Sequence, residues 1–237
     1  MKLIGPGEQA LTSEMKVINR MLNLPGARVL ELGCGGAEKT RAIVERTEVA
    51  SITAVEIDPV QHDKNLTITD LPTVTFKSYG AQNIDEEDNS FDIVIMFKSL
   101  HHVPKDDMDL ALREIHRVLK PGGFAYFSEP VFAGEFNEIM RLFHDEELVR
   151  QQAFDALVRA VDNKVMGLEE EYFFKNIIRL PSFEIYLDNV LGVTHTNHQL
   201  DPPTIVEVKR RFMKHESAEG FVFQVPNRVD LLRKAAL

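Results

Sequence analysis

One short run, residues 29–36 (Val-Leu-Glu-Leu-Gly-Cys-Gly-Gly), constrains the fold of this chain more than any other. Its first residues are typical of a buried strand, and the glycines that follow permit a sharp backbone turn. A helical pattern then covers residues 38–46. Because ligands bind beyond the carboxyl ends of the strands in a parallel sheet, we predict that this glycine bend lies at a ligand site.

Strand and helix patterns alternate along the first 130 residues. We predict strands over residues 27–32, 51–56, 74–77, 91–97 and 124–128, and helices over 8–23, 38–46 and 108–119. The fourth strand is almost wholly apolar, as expected for a strand buried on both faces. Such alternation implies right-handed βαβ units, so we predict an α/β, Rossmann-like doubly wound fold with a mostly parallel sheet.

The C-terminal part of the chain has a less regular pattern. Helical periodicity covers residues 135–162 and resumes after Pro203, and residues 220–225 are predicted as an antiparallel strand at the sheet edge. We assign residues 1–130 to a ligand-binding core, 131–219 to a helical and aromatic cap, and 220–237 to the edge strand and tail. Ten of the fifteen Phe residues follow position 130. They form either a second hydrophobic layer or an aromatic pocket lined by Tyr172, Phe173 and Phe174.

Charge and cysteine content exclude several classes of function. Asp and Glu number 37 against 27 Lys and Arg, and such an acidic chain repels phosphate backbones, so no nucleic acid is expected as a partner. A single cysteine, Cys34, excludes an internal disulfide and a multi-cysteine metal site. Apolar runs fall far short of the ~20 residues of a membrane-spanning helix, and no signal peptide is recognisable. We therefore expect a cytoplasmic protein with no membrane contact.

Acidic residues near the bend restrict the kind of ligand. Glu56 follows the glycines at the distance where a carboxylate accepts hydrogen bonds from both hydroxyls of a ribose; the alternative is a solvated strand end. The dinucleotide fingerprint G-x-G-x-x-G is incomplete, because Glu38 occupies the place of the third glycine. A carboxylate there would lie beside a pyrophosphate, which argues against a nicotinamide dinucleotide.

Ordered motifs over residues 27–130 resemble those of the class I S-adenosylmethionine (SAM)-dependent methyltransferases, especially the small-molecule branch called methyltransferase type 11. They are E-L-G-C-G at 31–35, the acidic Glu56, D-N-S-F-D at 88–92, L-H-H-V at 100–103 and L-R-E-x-x-R-V-L-K-P-G-G at 112–123. The resemblance implies a single methyltransferase domain over residues 1–237 with the class I fold. It also implies methyl transfer from SAM to a small-molecule acceptor, with S-adenosylhomocysteine (SAH) as the second product.

The resemblance further implies which residues surround the cofactor. They are Glu31, Gly33, Cys34 and Gly35 for the methionine part, Glu56 for the ribose, Ile57, Ala81 and Gln82 for the adenine, and Phe97 and Lys98 beside the sulfonium and the acceptor. Cys34 is expected there as a small packing residue. The family usually has an aspartate where this chain has Gly80, so an amide oxygen of Gln82 or Asn83 is the alternative acceptor for the adenine amino group.

His101 and His102 are the candidates for a general base, because they follow the fourth strand at the ligand-facing edge and imidazole titrates near neutral pH. The alternative is structural, with one histidine capping the next helix and the other packing beneath it. Glu129, after the fifth strand, has the same two interpretations. Lys98 either orients an anionic acceptor or extends into solvent.

Two other functions share part of the pattern. A module that binds SAM without turnover would explain Gly80 and the unassigned base, and a NAD-dependent oxidoreductase shares the strand–glycine–helix plan. No metal is predicted, because His195 and His198 on a polar loop are too few ligands. Neither the acceptor nor the oligomeric state follows from the sequence.

Overall fold

A computed structural model describes residues 1–191 and 200–236 of the chain. Within these residues, nine strands form one mixed sheet in the order β1-β7-β9-β6-β5-β2-β3-β4, with β8 paired to β9. The strands are β1 (Ala10–Leu11), β2 (Arg28–Leu32), β3 (Ser51–Val55), β4 (Val74–Lys77), β5 (Phe91–Phe97), β6 (Leu119–Pro130), β7 (Gly167–Leu180), β8 (Glu216–Ser217) and β9 (Gly220–Arg233). The helices are α1 (Glu14–Met21), α2 (Glu38–Arg46), α3 (Pro59–Asn65), α4 (Met108–Val118), α5 (Glu135–Met140), α6 (Glu147–Asp162), α7 (Phe183–Leu191) and α8 (Pro202–Phe212).

The parallel half of the sheet carries the glycine bend. Strand β2 pairs in parallel with β3 and β5, and β5 pairs in parallel with β6. Neighbouring residues of β2, Val29 and Leu30, belong to two separate buried clusters, because successive side chains of a strand point to opposite faces. Both faces of the sheet are thus covered, and the predicted doubly wound α/β fold is confirmed.

Strand β9 is antiparallel, as predicted, but it has a neighbour on each side. It pairs with β6 over one edge and with the long strand β7 over the other. The sequence pattern assigned residues 167–180 to a helical cap, and this assignment is wrong. Three successive glutamates precede Tyr172 in β7, so the alternation of polar and apolar residues that marks a strand is missing.

Two helix predictions needed correction. The helix expected over residues 8–23 begins only at Glu14, because Ser13 caps it by accepting from the Lys16 amide, and Ala10 pairs with Phe174 of β7. The helical pattern over residues 135–162 divides into α5 and α6. The Asp145 side chain accepts from the amide of Glu147 at 3.0 Å, which stabilises the start of α6 after the break.

Most of the C-terminal aromatic rings form a second hydrophobic layer. Phe212 of α8 packs on Phe221 of β9 with ring centroids 4.4 Å apart and on Tyr186 of α7 at 4.9 Å. The prediction that Tyr172, Phe173 and Phe174 line the cleft is wrong, because they lie on β7 and Phe174 is buried in the core beside β1. Among the described residues, no helix has the length and apolar character needed to cross a membrane.

Candidate functional site

A cavity of about 1050 Å³ opens where the parallel strands end. Its floor is formed by the segments that directly follow β2, β3 and β5, as expected for a ligand crevice at the carboxyl edge of a parallel sheet. The cavity is lined by Leu32, Gly33, Gly35, Gly36, Glu56, Ile57, Asp58, Pro59, Gln61, Lys64, Tyr79, Gly80, Ala81, Gln82, Met96, Phe97, Lys98, Ser99, His102, Val103, Pro104, Asp188 and Asn189.

The glycine bend is tight on one side and open on the other. Gly33 has a φ of +77°, and a Cβ at this position would lie 2.6 Å from the Cβ of Ser99. The Ser99 hydroxyl donates to the carbonyl of Leu32 at 2.7 Å and fixes this close approach. Gly35 has a φ of +53° and no atom within 4 Å of its would-be Cβ. The bend therefore exposes bare backbone to the cavity at Gly35.

Glu56 faces the glycine bend. One carboxylate oxygen accepts from the amide of Gly35 at 2.8 Å, and the other accepts from the amide of Asp58 at 2.9 Å. Each carboxylate oxygen can accept more than one hydrogen bond. Glu56 can therefore hold the loop and still present acceptors to a ligand in the cavity.

Gln82 occupies the space that a side chain at position 80 would fill. A Cβ on Gly80 would lie 2.3 Å from the Gln82 amide oxygen and 2.8 Å from its amide nitrogen. The Gln82 amide has thus folded back over Gly80 at the wall of the cavity. This arrangement favours Gln82, of the two amides considered from the sequence, as the polar group at this wall.

Glu31 and Cys34, unlike the other residues predicted around the cofactor, do not line the cavity. Glu31 is buried behind the bend, where the Thr40 hydroxyl donates to it at 2.7 Å and burial raises its pKa to about 7. Cys34 is also buried, with the Asn65 amide nitrogen 3.5 Å from its sulfur. Burial raises the pKa of the Cys34 thiol, which suits a packing residue and not a nucleophile.

His101 and His102 have different environments. His102 lines the cavity, whereas His101 is buried beneath it and its ring lies 4.1 Å from that of His102. Nδ1 of His101 contacts Glu129, whose other oxygen accepts from the amide of Leu100 at 2.9 Å. Nε2 lies 3.6 Å from Glu146. These contacts favour a structural role for His101 and Glu129 and leave His102 as the histidine that can meet a ligand.

The described residues include one group of potential metal ligands, and the same ion pairs already hold its side chains. His101, His102 and Glu146 bring their ligand atoms within 4.8 Å of one another. Glu146 is already paired with Arg150 at 2.6 Å. The neighbouring carboxylates outweigh burial and raise the pKa of His101 to about 9, and a protonated imidazole does not ligate metals. The His195 and His198 considered from the sequence lie outside the described residues.

The buried His101–Glu129 pair predicts a pH-dependent stability. The pKa of His101 is raised from 6.5, so its stabilising contribution is complete below pH 6.5 and is lost as the pH rises through about 9. The pKa of Glu129 is lowered by His101, so its contribution is lost only in acid. Wild type should have a higher free energy of unfolding than His101→Gln. We expect this difference to be about 3 kcal/mol larger near pH 6 than above pH 9. Urea unfolding of both proteins across this range measures it, and a constant difference would contradict the prediction.

Three lining residues were not predicted from the sequence. Asp188 and Asn189 come from α7 in the cap, far along the chain from the motifs of the core. Tyr79 follows the short strand β4, and its hydroxyl donates to Glu86 at 3.0 Å. Strand order would have predicted Tyr79, since β4 ends at the same edge as β3. Only the packing of the cap places α7 beside the cavity.

Residues 29–123 match a family model described as a methyltransferase domain. Among curated proteins, the ubiquinone biosynthesis O-methyltransferase of Pseudomonas syringae pv. tomato is 32% identical over 114 residues, 47% of each chain. The chain spans about half the length of the curated relatives it matches, with 40% to 62% covered in the first three.

Two solved structures extend the similarity to nearly the whole chain. A SAM-dependent methyltransferase from Methanosarcina mazei has a TM-score of 0.56 and 15% identity, covering 93% of this chain and 98% of that one. The [4+2]-cyclase SpnF has a TM-score of 0.60 and 20% identity, covering 94% of this chain and 80% of that one. At such identities the likeness establishes the fold, and the cyclase illustrates that one fold hosts different reactions.

Proposed function

We propose that this chain is a class I SAM-dependent methyltransferase, which transfers the methyl group of SAM to a small-molecule acceptor and releases SAH. The observation that carries the proposal is the cavity in which the bare backbone of Gly35 and the carboxylate of Glu56 lie side by side. When bound, SAM supplies an electrophilic methyl group on a sulfonium. The protein must then align the acceptor with that group and exclude water.

The lining residues fit a nucleoside joined to an amino acid. Glu56 offers acceptors for ribose hydroxyls, and the open side of the bend at Gly35 leaves room for the amino-acid part of the ligand to approach the backbone. Ile57 is 64% exposed in the cavity wall, an unfavourable position for a large apolar side chain unless a ligand covers it. We propose that the adenine packs on Ile57, with Ala81 and Gln82 along its edge.

A nicotinamide dinucleotide fits the same site poorly. The Glu38 carboxylate lies 2.7 Å from the place of a Cβ on Gly36, at the start of α2. A pyrophosphate at this helix N-terminus would therefore meet a negative charge at short range. This contact supports SAM, which carries no phosphate, over NAD.

We propose that the cap selects the acceptor. A cavity of about 1050 Å³ is at the upper limit of the range typical of a single drug-sized ligand, so it has room for an acceptor beside the cofactor. Asp188 and Asn189 of α7 reach the cavity from the cap, whereas the rest of the lining belongs to the core. His102 remains the candidate base for acceptors that must lose a proton.

The proposal is tested by binding and then by turnover. Isothermal titration should show that SAH and SAM bind at one site, and mass spectrometry should detect SAH formed from SAM with an acceptor panel of phenols, carboxylates, amines and thiols. Binding of SAH with no turnover on any acceptor would favour the second candidate, a module that binds SAM without transfer. Absence of any SAH binding would contradict both.

Gln82 provides a specific prediction about the adenine. If its amide oxygen accepts from the adenine amino group, Gln82→Ala should weaken SAH binding by about 2- to 10-fold, the effect of one neutral hydrogen bond. The matched control is Gln224→Ala, because Gln224 is an exposed glutamine of β9. An SAH analogue with a dimethylated adenine amino group, which has no hydrogen to donate, should bind wild type and Gln82→Ala equally weakly. Equal loss of affinity for both ligands would assign Gln82 a structural role only.

A further inference from the structure

Lys98 follows β5 directly and lines the cavity next to the glycine bend. Its neighbour Ser99 packs against Gly33, where a Cβ would come within 2.6 Å of the Ser99 side chain. Lys98 itself has a φ of +53°, and its amide donates to the carbonyl of Ser128 at 2.7 Å. A left-handed backbone is unfavourable for lysine, and strained residues of this kind concentrate at functional sites.

The ammonium group of Lys98 has no close counter-ion within the described part of the chain. The carboxylates that influence it, Glu14 and Glu129, are committed elsewhere. Glu14 accepts from the hydroxyl of Tyr126 at 2.7 Å, and Glu129 is paired with His101. Lys98 is exposed in the cavity wall, so its ammonium group can meet a ligand there. A cation held in a cleft without a partner favours the binding of an anion there.

We propose that Lys98 binds an anionic oxygen of the methyl acceptor, so that the substrates of this protein are carboxylates or ionised phenols. This inference rests on the proposed function, because it concerns the acceptor that accompanies SAM. Of the two interpretations of Lys98 drawn from the sequence, the proposal adopts the one in which it orients an anionic acceptor.

Methyl transfer to such an acceptor needs no general base. An oxyanion has no proton to lose: its lone pair forms the new O–CH₃ bond, and the electron pair of the broken S–CH₃ bond stays on sulfur. The negative charge of the oxygen and the positive charge of the sulfonium cancel, while Lys98 keeps its proton throughout. The methylated oxygen no longer attracts Lys98, so the product binds more weakly than the substrate.

The test compares matched charged and neutral probes bound to the SAH complex. Calorimetry would measure binding of benzoate against benzamide, and of 4-nitrophenolate against 4-nitrotoluene, to wild type and to Lys98→Gln and Lys98→Arg. We expect wild type to prefer each anion by about 10- to 100-fold, as one charge-assisted hydrogen bond provides. Lys98→Gln should abolish the preference, and Lys98→Arg should retain most of it.

Lys164→Gln is the matched control, because Lys164 is an exposed lysine that also has a left-handed backbone, with a φ of +57°. It should bind all four probes as wild type does. A wild type that shows no preference for the anions, or a preference that persists in Lys98→Gln, would overturn the inference. The SAH titration separates the two proposals: if SAH does not bind, the proposed function fails, whereas SAH binding without anion preference contradicts the role of Lys98 alone.

Discussion

Replacing Glu56 with alanine is expected to weaken SAH binding by at least about 100-fold. The variant loses two charge-assisted hydrogen bonds to ribose hydroxyls, each of about 1.5–3 kcal/mol. It also frees the amides of Gly35 and Asp58, which now donate to the Glu56 carboxylate, so the bend loses its anchor. Isothermal titration with SAH measures the affinity.

The matched control for this variant is Glu45→Ala, which removes an exposed carboxylate from α2 without touching the cavity. It should bind SAH as wild type does. A urea-unfolding curve shows whether Glu56→Ala remains folded, and we expect it to lose only about 1–2 kcal/mol of stability. A folded Glu56→Ala protein with an SAH affinity within a factor of three of wild type would exclude the ribose-binding role.

Gly33→Ala is expected to destabilise the protein by about 2–4 kcal/mol and to abolish measurable SAH binding. A φ of +77° is unfavourable for alanine, and the new Cβ would lie 2.6 Å from that of Ser99. The bend and the segment after β5 cannot both keep their positions, so the backbone at the cavity must shift. Thermal unfolding should show a melting temperature about 5–15 °C below wild type.

Gly26→Ala separates backbone strain from steric conflict. Gly26 has a φ of +72° but no atom within 4 Å of its would-be Cβ, and it lies in a turn outside the cavity. This variant should lose about 1 kcal/mol and bind SAH normally. If Gly33→Ala were no less stable than Gly26→Ala and still bound SAH, the close packing of Ser99 on the bend would have no functional consequence.

The core of the fold followed from local patterns. The strands and the bend of residues 27–130 could be predicted because buried parallel strands are continuous apolar runs and glycines mark the turn. Strand β7 could not, because its stretch of glutamates hides the alternation and its partner β9 is about fifty residues further along the chain. Long-range pairing of this kind overrides local sequence preference.

The residues of the candidate site could likewise be predicted only in part from the sequence. Glu56 and Gly35 could be placed from spacing alone, since the ends of adjacent parallel strands must meet. The sequence left open whether His101 acts as a base, and its partners show why: Glu146 is distant in sequence and reaches His101 through the packing of α6. Likewise, Asp188 in α7 carries no pattern that would assign it to the cavity.

A crystal structure of the SAH complex would show whether the glycine bend and Glu56 hold the two ends of one ligand. We predict that one ligand spans the cavity, with both ribose hydroxyls within hydrogen-bond distance of Glu56 and the amino-acid part against the backbone of Gly33 to Gly35. SAH bound elsewhere, or bound with Glu56 turned away from the ribose, would contradict it.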